Sequence, residues 1–267
     1  MNNTLKIIGC RAGSPLHAAP ASGYLLKTTK GNILIECGPG VVVNLENEEV
    51  EKLIGVVATH RHADHCLDLM ALAYRLLFPV LLRPLPLYGP PSLRETISLY
   101  DSTFGIPSLP ALKKPLSTAF DFTPVPPGAP FAIAESWTFD TLATKHPVET
   151  FALRSREFNF VYTSDGACTD ELHVFCKNCG VLLSEVTYPD EEGRDLNEHG
   201  HMTAAHCAGL AKFSGTSTLV ATHLSDPADG ERSMRTIRRL FGGDAILAYP
   251  GLEIPLVPRE KELPEPL

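Results

Sequence analysis

Val56–His65 reads VVATHRHADH. An apolar run with the character of a buried strand ends at Ala58, and a polar segment holding three histidines and an aspartate follows at once. His60 and His62 stand two apart, so in extended backbone both imidazoles project to one side, while Asp64 and His65 come where the chain turns. Behind them Cys66–Phe78 (CLDLMALAYRLLF) is apolar and long enough for a helix, stopped by Pro79, which has no amide to continue it. A strand delivers the cluster and a helix leaves it. Imidazole nitrogen with carboxylate oxygen suits zinc and, less specifically, iron or manganese.

The spacing H-x-H-x-D-H, met in full by His60, His62, Asp64 and His65, resembles the signature of the metallo-beta-lactamase superfamily. The resemblance implies an α/β fold, the four-layer αβ/βα sandwich, with two divalent metal ions, zinc or else manganese or iron, at the sheet edge. It also implies three ligands downstream: His146 in TKHPVETFALR, Asp165 in FVYTSDGA as a bridging aspartate, and His223 in LVATHLSD. On that pattern His60, His62 and His146 hold one ion, Asp64, His65 and His223 the other, and Asp165 lies between. A lone histidine is more often structural than ligating, and Asp165 before Gly166 also suits a turn. His146 and His223, however, both follow apolar strand-like runs, as ligands held at a sheet edge should. Two dications against two carboxylates leave a net charge of about +2, enough to hold a hydroxide and draw an anionic substrate to an acidic protein.

Working outward, short apolar or alternating runs at 5–8, 23–28, 33–36 and 54–58 predict strands, as do those at 138–144, 150–154, 158–163, 180–185 and 217–222. Helices are predicted near 92–104, over 203–213 and near 228–241. That mixture suits sheets packed between helices. Residues 1–258 read as one domain. Within it, 79–130 holds 12 of the 23 prolines and reads as a connecting region, a lid or a homodimer interface. The charged, Pro-rich tail 259–267 reads as loose.

Composition sets the outer bounds. A chain of 267 residues with 44% hydrophobic and 20% charged residues folds without staples and is not disordered over most of its length. Its net charge of -8 argues against an open cationic face for nucleic-acid phosphates. Seven scattered cysteines favour reduced thiols, and no signal peptide or membrane-length apolar run is seen, so the expected setting is cytoplasmic, with no membrane partner. The lone C-x-x-C at Cys176 and Cys179 is a weak zinc signal without a second pair.

Finer features point to one branch. Ile8–Pro15 (IGCRAGSP) and Ile35–Gly40 (IECGPG) resemble the opening segments of the ribonuclease Z and phosphodiesterase branch, while Leu183–Thr187 (LSEVT) and His199–Thr203 (HGHMT) resemble its two later segments. The resemblance spans about residues 5 to 250. Met202 stands where the branch has serine, and Asp68 where many relatives have glycine, which is closer to the cyclic-nucleotide phosphodiesterase type. Only 18 residues separate His146 from Asp165, too few for the arm with which tRNA-processing relatives clasp tRNA. A Glu185 carboxylate accepting one N–H of His201 would orient that ring and raise its pKa, so that His201 protonates a leaving oxygen. His199 and His206 are rivals for that role. The catalytic candidates are therefore Asp64, His201 and Glu185, acting with a metal-bridging hydroxide on a small phosphodiester, foremost a cyclic nucleotide. A ribonuclease acting on RNA 3' ends, an ester or lactam hydrolase, and a metal-binding protein without activity are the alternatives.

Overall fold

A computed structural model describes residues 3–16, 18–79, 83–193 and 195–257; the tail expected to be loose lies outside them. The first half of the chain runs β1 (Thr4–Gly9), β2 (Gly23–Thr28), β3 (Gly31–Ile35), α1 (Asn47–Glu51), β4 (Leu53–Val57), α2 (Ala63–Cys66) and α3 (Leu69–Leu77). It continues through β5 (Leu85–Gly89), α4 (Leu93–Phe104), α5 (Pro115–Ala119) and β6 (Phe120–Pro124). The second half runs β7 (Phe131–Ile133), β8 (Trp137–Ala143), β9 (Phe151–Ser155), β10 (Phe160–Tyr162), α6 (Asp170–Cys176) and β11 (Val181–Glu185). It closes with α7 (Leu196–His199), α8 (Ala204–Ser214), β12 (Thr218–Thr222), α9 (Gly230–Phe241), β13 (Asp244–Leu247) and β14 (Glu253–Pro255).

Among the described residues the strands form two seven-stranded sheets, ordered β14-β1-β2-β3-β4-β5-β6 and β13-β12-β11-β10-β9-β8-β7. Each is antiparallel on one side and parallel on the other: β3 to β6 run parallel in the first sheet, β10 to β13 in the second. Residue alternation assigns the faces. Leu5, Ile7, Tyr24, Leu26, Ile33 and Val57 point between the sheets, against Phe139, Phe151, Phe160, Tyr162, Leu183 and Val220. Their neighbours Leu25, Leu34 and Val56 point outward, onto Leu69, Leu72 and Leu76 of α3. On the opposite flank Leu182, Leu219 and Ala221 pack on Cys207 and Leu210 of α8 and Met234 and Ile237 of α9. Helix, sheet, sheet and helix make four layers, the expected αβ/βα sandwich.

One expectation needs correction, and another gains detail. The helix predicted at 66–78 is two helices, α2 inside the histidine segment and α3 after a break at Leu67–Asp68, so Asp64 and His65 already sit on a helical turn. Asp68 fills that break: its Oδ2 accepts the amides of Gly40 and Val42 at 2.9 and 3.0 Å. The proline-rich region, for its part, extends the first sheet by β5 and β6 and covers it with α4 and α5. Pro115 stands at the start of α5, where a missing amide costs nothing, while Pro86 lies within β5 and Pro124 ends β6.

Candidate metal centre

The strands stop at one rim of the sandwich, and the histidine segment begins three residues past β4. His146 follows β8, Asp165 follows β10, and His223 directly follows β12. The seven sequence-predicted ligands thus come together from both sheets. One ligand atom each from His60, His62, His146 and Asp165 all lie within 4.8 Å of one another, and so do those of Asp64, His65 and His223. Three non-glycine residues of this rim, Glu36, Ser164 and His223, hold left-handed φ of 59, 53 and 61°, a strain that persists only where surroundings impose it.

The donors face one another as ligands do. His62 Nδ1 stands 3.1 Å from His146 Nε2, and His65 Nε2 stands 3.2 Å from His223 Nε2. Asp165 Oδ2 lies 3.3 Å from both His65 Nε2 and His223 Nε2, and 3.7 Å from His60 Nε2. His60 Nε2 and Asp165 Oδ1 are buried without a hydrogen-bond partner, a costly arrangement that a cation between them relieves. The imidazoles are turned by their outer nitrogens. His146 Nδ1 donates to Gly200 O at 2.8 Å, which leaves Nε2 its lone pair. His223 Nδ1 meets the Thr187 hydroxyl at 3.0 Å, and His65 Nδ1 lies 3.3 Å from Glu36 Oε1.

Burial pushes the His60, His62 and His146 imidazoles below their ordinary range, which keeps them neutral and able to ligate. Burial would likewise depress His65 and raise Asp165, but attraction prevails. Asp165 and Glu36 hold His65 well above the imidazole range, and His223 and His65 hold Asp165 well below the carboxylate range. Positive charge is thus favoured at the Asp64–His65–Asp165–His223 end of the cluster, whether carried by protons or by a metal ion. Nitrogen and carboxylate donors in this number fit divalent ions.

Glu185 and His201 are brought together as well. Glu185 Oε1 lies 3.2 Å from His201 Nδ1 and accepts the Gly166 amide at 2.9 Å; Oε2 accepts the Met202 amide at 3.1 Å and the Thr187 hydroxyl. Burial works to lower the His201 imidazole, but the Glu185 charge and hydrogen bond outweigh it and lift the ring to about 9. His201 stands between two cavities. One of about 260 Å³ also touches His62, Asp64, Asp165 and His223, and a second of about 340 Å³ touches Cys168, Glu191, Asp195 and His206. Thr203 accepts the His206 amide at 3.2 Å and so caps α8, which fixes where the preceding His201 stands. Met202, in place of the branch's serine, is buried beneath the second sheet.

The rivals of His201 are otherwise placed: His199 Nε2 meets the Tyr188 hydroxyl at 2.9 Å, and His206 lines the second cavity but not the one that touches the cluster. Cys176 and Cys179 are buried, burial raises both thiols, and neither belongs to a metal-holding group found among the described residues. Three supporting residues escaped sequence reasoning. Glu36 accepts the Thr59 amide at 3.1 Å and the Thr59 hydroxyl, Thr59 also meets Ser164 Oγ at 2.6 Å, and Thr187 links Glu185 to His223. For Glu36 the signal lay in IECGPG, whose glycines mark a close approach: a Cβ on Gly38 would overlap the carbonyl of Asp64.

Four layers with a histidine and aspartate cluster on one rim define a protein of the metallo-hydrolase fold. Residues 31–224 match the beta-lactamase superfamily domain, and the chain belongs to that superfamily. It is 30% identical over 256 residues to the probable metallo-hydrolase YhfI of Bacillus subtilis (strain 168), covering 92% of this chain and 96% of that one. The crystal structure of the B. subtilis metallo-beta-lactamase fold protein YhfI superposes with a TM-score of 0.80 at 26% identity, covering 95% of this chain and 100% of that one. Human tRNase Z, short form, gives 0.74 at 20% identity over 95% and 99% of the two chains. A diphosphatase of the PhnP family gives 0.69 at 16% identity over 94% and 97%. No helix among the described residues is long and apolar enough to cross a membrane.

Proposed function

We propose that the protein is a metal-dependent hydrolase of small phosphodiesters, foremost a cyclic nucleotide or a related cyclic phosphodiester. The observation that carries this reading is the His201 imidazole, kept protonated by Glu185, on the wall of the same cavity as His62, Asp64, Asp165 and His223. A proton donor beside a cation cluster is what a phosphodiester requires, because its departing alkoxide is a poor leaving group until protonated.

In this reading His60, His62 and His146 hold one divalent ion, Asp64, His65 and His223 the other, and Asp165 lies between. When bound, such ions lower the pKa of water and neutralise charge on phosphoryl oxygens. His201 gives its Nε2 proton to the leaving oxygen, and Glu185 steadies the ring at Nδ1. Thr187, bonded to Glu185 and facing both His201 and His223, keeps the acid in register with the cluster. The products are a phosphomonoester and an alcohol, which remain one molecule when the substrate is cyclic.

Small substrates are favoured over folded RNA by the chain between His146 and Asp165. It forms the hairpin of β9 and β10, with Ser155 paired to Phe160, and projects no arm. The ribonuclease reading keeps support from the fold shared with human tRNase Z. A panel of cyclic mononucleotides, cyclic dinucleotides, bis-nitrophenyl phosphate and pre-tRNA, run on metal-quantified protein, decides between them: turnover of pre-tRNA above that of the cyclic substrates would reverse the order. The buried free thiols suit a reducing, cytoplasmic setting.

A further inference from the structure

A hollow of about 630 Å³ lies between α4, α5 and the edge strand β6. It shares no lining residue with the two cavities beside His201. Its floor is apolar, formed by Ile97, Leu116 and Phe120. Three cations stand on its rim, Arg94, Lys113 and Lys114, and none has a carboxylate within ion-pair distance among the described residues. In a chain of net charge -8, three unpaired cations around one concavity run against the overall field.

Two acids share the lining, which leaves it one net positive charge, and one of the two is occupied by protein donors. Asp101 is buried and committed to α5: it accepts the amides of Leu116 and Ser117 at 2.8 and 3.1 Å and the Ser117 hydroxyl at 2.5 Å. Asp121 is exposed on the edge strand. The Arg94 guanidinium rests over the Phe122 ring, 5.1 Å from its centroid, so it is already held in place and its N–H groups need little ordering to meet an anion. Exposed hydroxyls of Ser98 and Thr123 add donors along the wall.

We propose that this hollow binds a small organic phosphate the size of a nucleotide, its phosphates met by Arg94, Lys113 and Lys114 and its flat apolar part laid on the floor of Ile97, Leu116 and Phe120. The volume lies within the range of small-molecule sites, and apolar floor with a few fixed polar groups is their usual construction. The site is separate from the hydrolytic centre and does not depend on the activity proposed for it.

ADP is the probe, with inorganic phosphate and a short 5'-phosphorylated RNA as the comparison arms. Calorimetric titration should give a complex that survives Asp165→Ala and is weakened at least about tenfold by Arg94→Ala and by Lys113→Glu with Lys114→Glu. These three side chains are exposed, and an unchanged melting temperature checks that the variants fold. Inorganic phosphate should bind about tenfold more weakly than ADP, since it makes no use of the floor. Hydrogen exchange on the wild-type protein should show ADP protecting residues 113–123. Overturning results are no ADP binding at millimolar concentration, binding insensitive to Arg94 and the two lysines, protection confined to 187–201, or preference for the RNA.

Discussion

The Nδ1 atom of His201 lies 3.2 Å from Oε1 of Glu185, a carboxylate wholly withdrawn from solvent at the end of β11. Three further donors, from Gly166, Thr187 and Met202, fix that carboxylate, so the ring is held by a rigid partner.

Removing the ring tests its role directly. His201→Ala should lower turnover of an alkyl phosphodiester by about 10²–10⁴-fold. Bis-nitrophenyl phosphate, whose leaving group departs without a proton, should lose much less. Metal content, measured by plasma mass spectrometry, should not change; loss of metal in step with activity would mean that His201 serves the cluster instead.

The carboxylate sets a pH signature. His201 acts in its protonated form, so activity is present below its pKa, which Glu185 raises to about 9, and is lost as pH rises through it. Glu185→Gln removes the charge that raises it, so the alkaline limb of the kcat profile should move to lower pH. An unmoved limb would assign it to another group.

Metal uptake should expel protons. His65 is held protonated by Asp165 and Glu36, and a cation must displace that proton to use its lone pair. Affinity for zinc should therefore rise with pH, and calorimetry in buffers of different ionisation enthalpy should register proton release near neutrality. Binding without release would contradict a His65 that carries a proton before the ion enters.

Chelation should cost stability as well as activity. Ligands that bind only the native state stabilise it by about 2.7 kcal/mol at a hundred times their Kd, so the metal-loaded protein should melt higher than the chelated one. Asp165→Ala, which removes a donor near both ends of the cluster, should erase most of that difference.

Gly38 offers a purely steric test. With Ala at this position the methyl would collide with the Asp64 carbonyl, and overpacking of this kind costs about 1–3 kcal/mol. Gly38→Ala should lower both the melting temperature and the metal stoichiometry. A fully loaded, stable variant would show that the loop can yield without moving Asp64.

The residues that meet at the rim are legible because the proposed ligation demands particular residue types at particular strand ends. His60, His62, Asp64 and His65 are legible from spacing alone; His146, Asp165 and His223 needed the resemblance, since each on its own also fits a bland surface role. Other parts were hidden for physical reasons. β5 carries Pro86, which has no amide to offer a sheet, so LPLYG is passed over within the connecting region although it lies between β4 and β6. The break at Leu67–Asp68 is invisible because its cause, the amides of Gly40 and Val42, lies far back along the chain. Glu36 reads as a polar residue closing a strand; only the folded chain shows it turned inward to Thr59 and His65.

His60, His62, Asp64 and His65 belong to the half of the polypeptide that supplies β1 to β6 of the first sheet, and His146, Asp165 and His223 to the half that builds the second and adds β14 to the first. Neither half owns a working set of donors, and under the proposed ligation each ion is shared between them. Loops around the rim are free to drift and retune what is cut, but the two halves must be inherited, expressed and folded together.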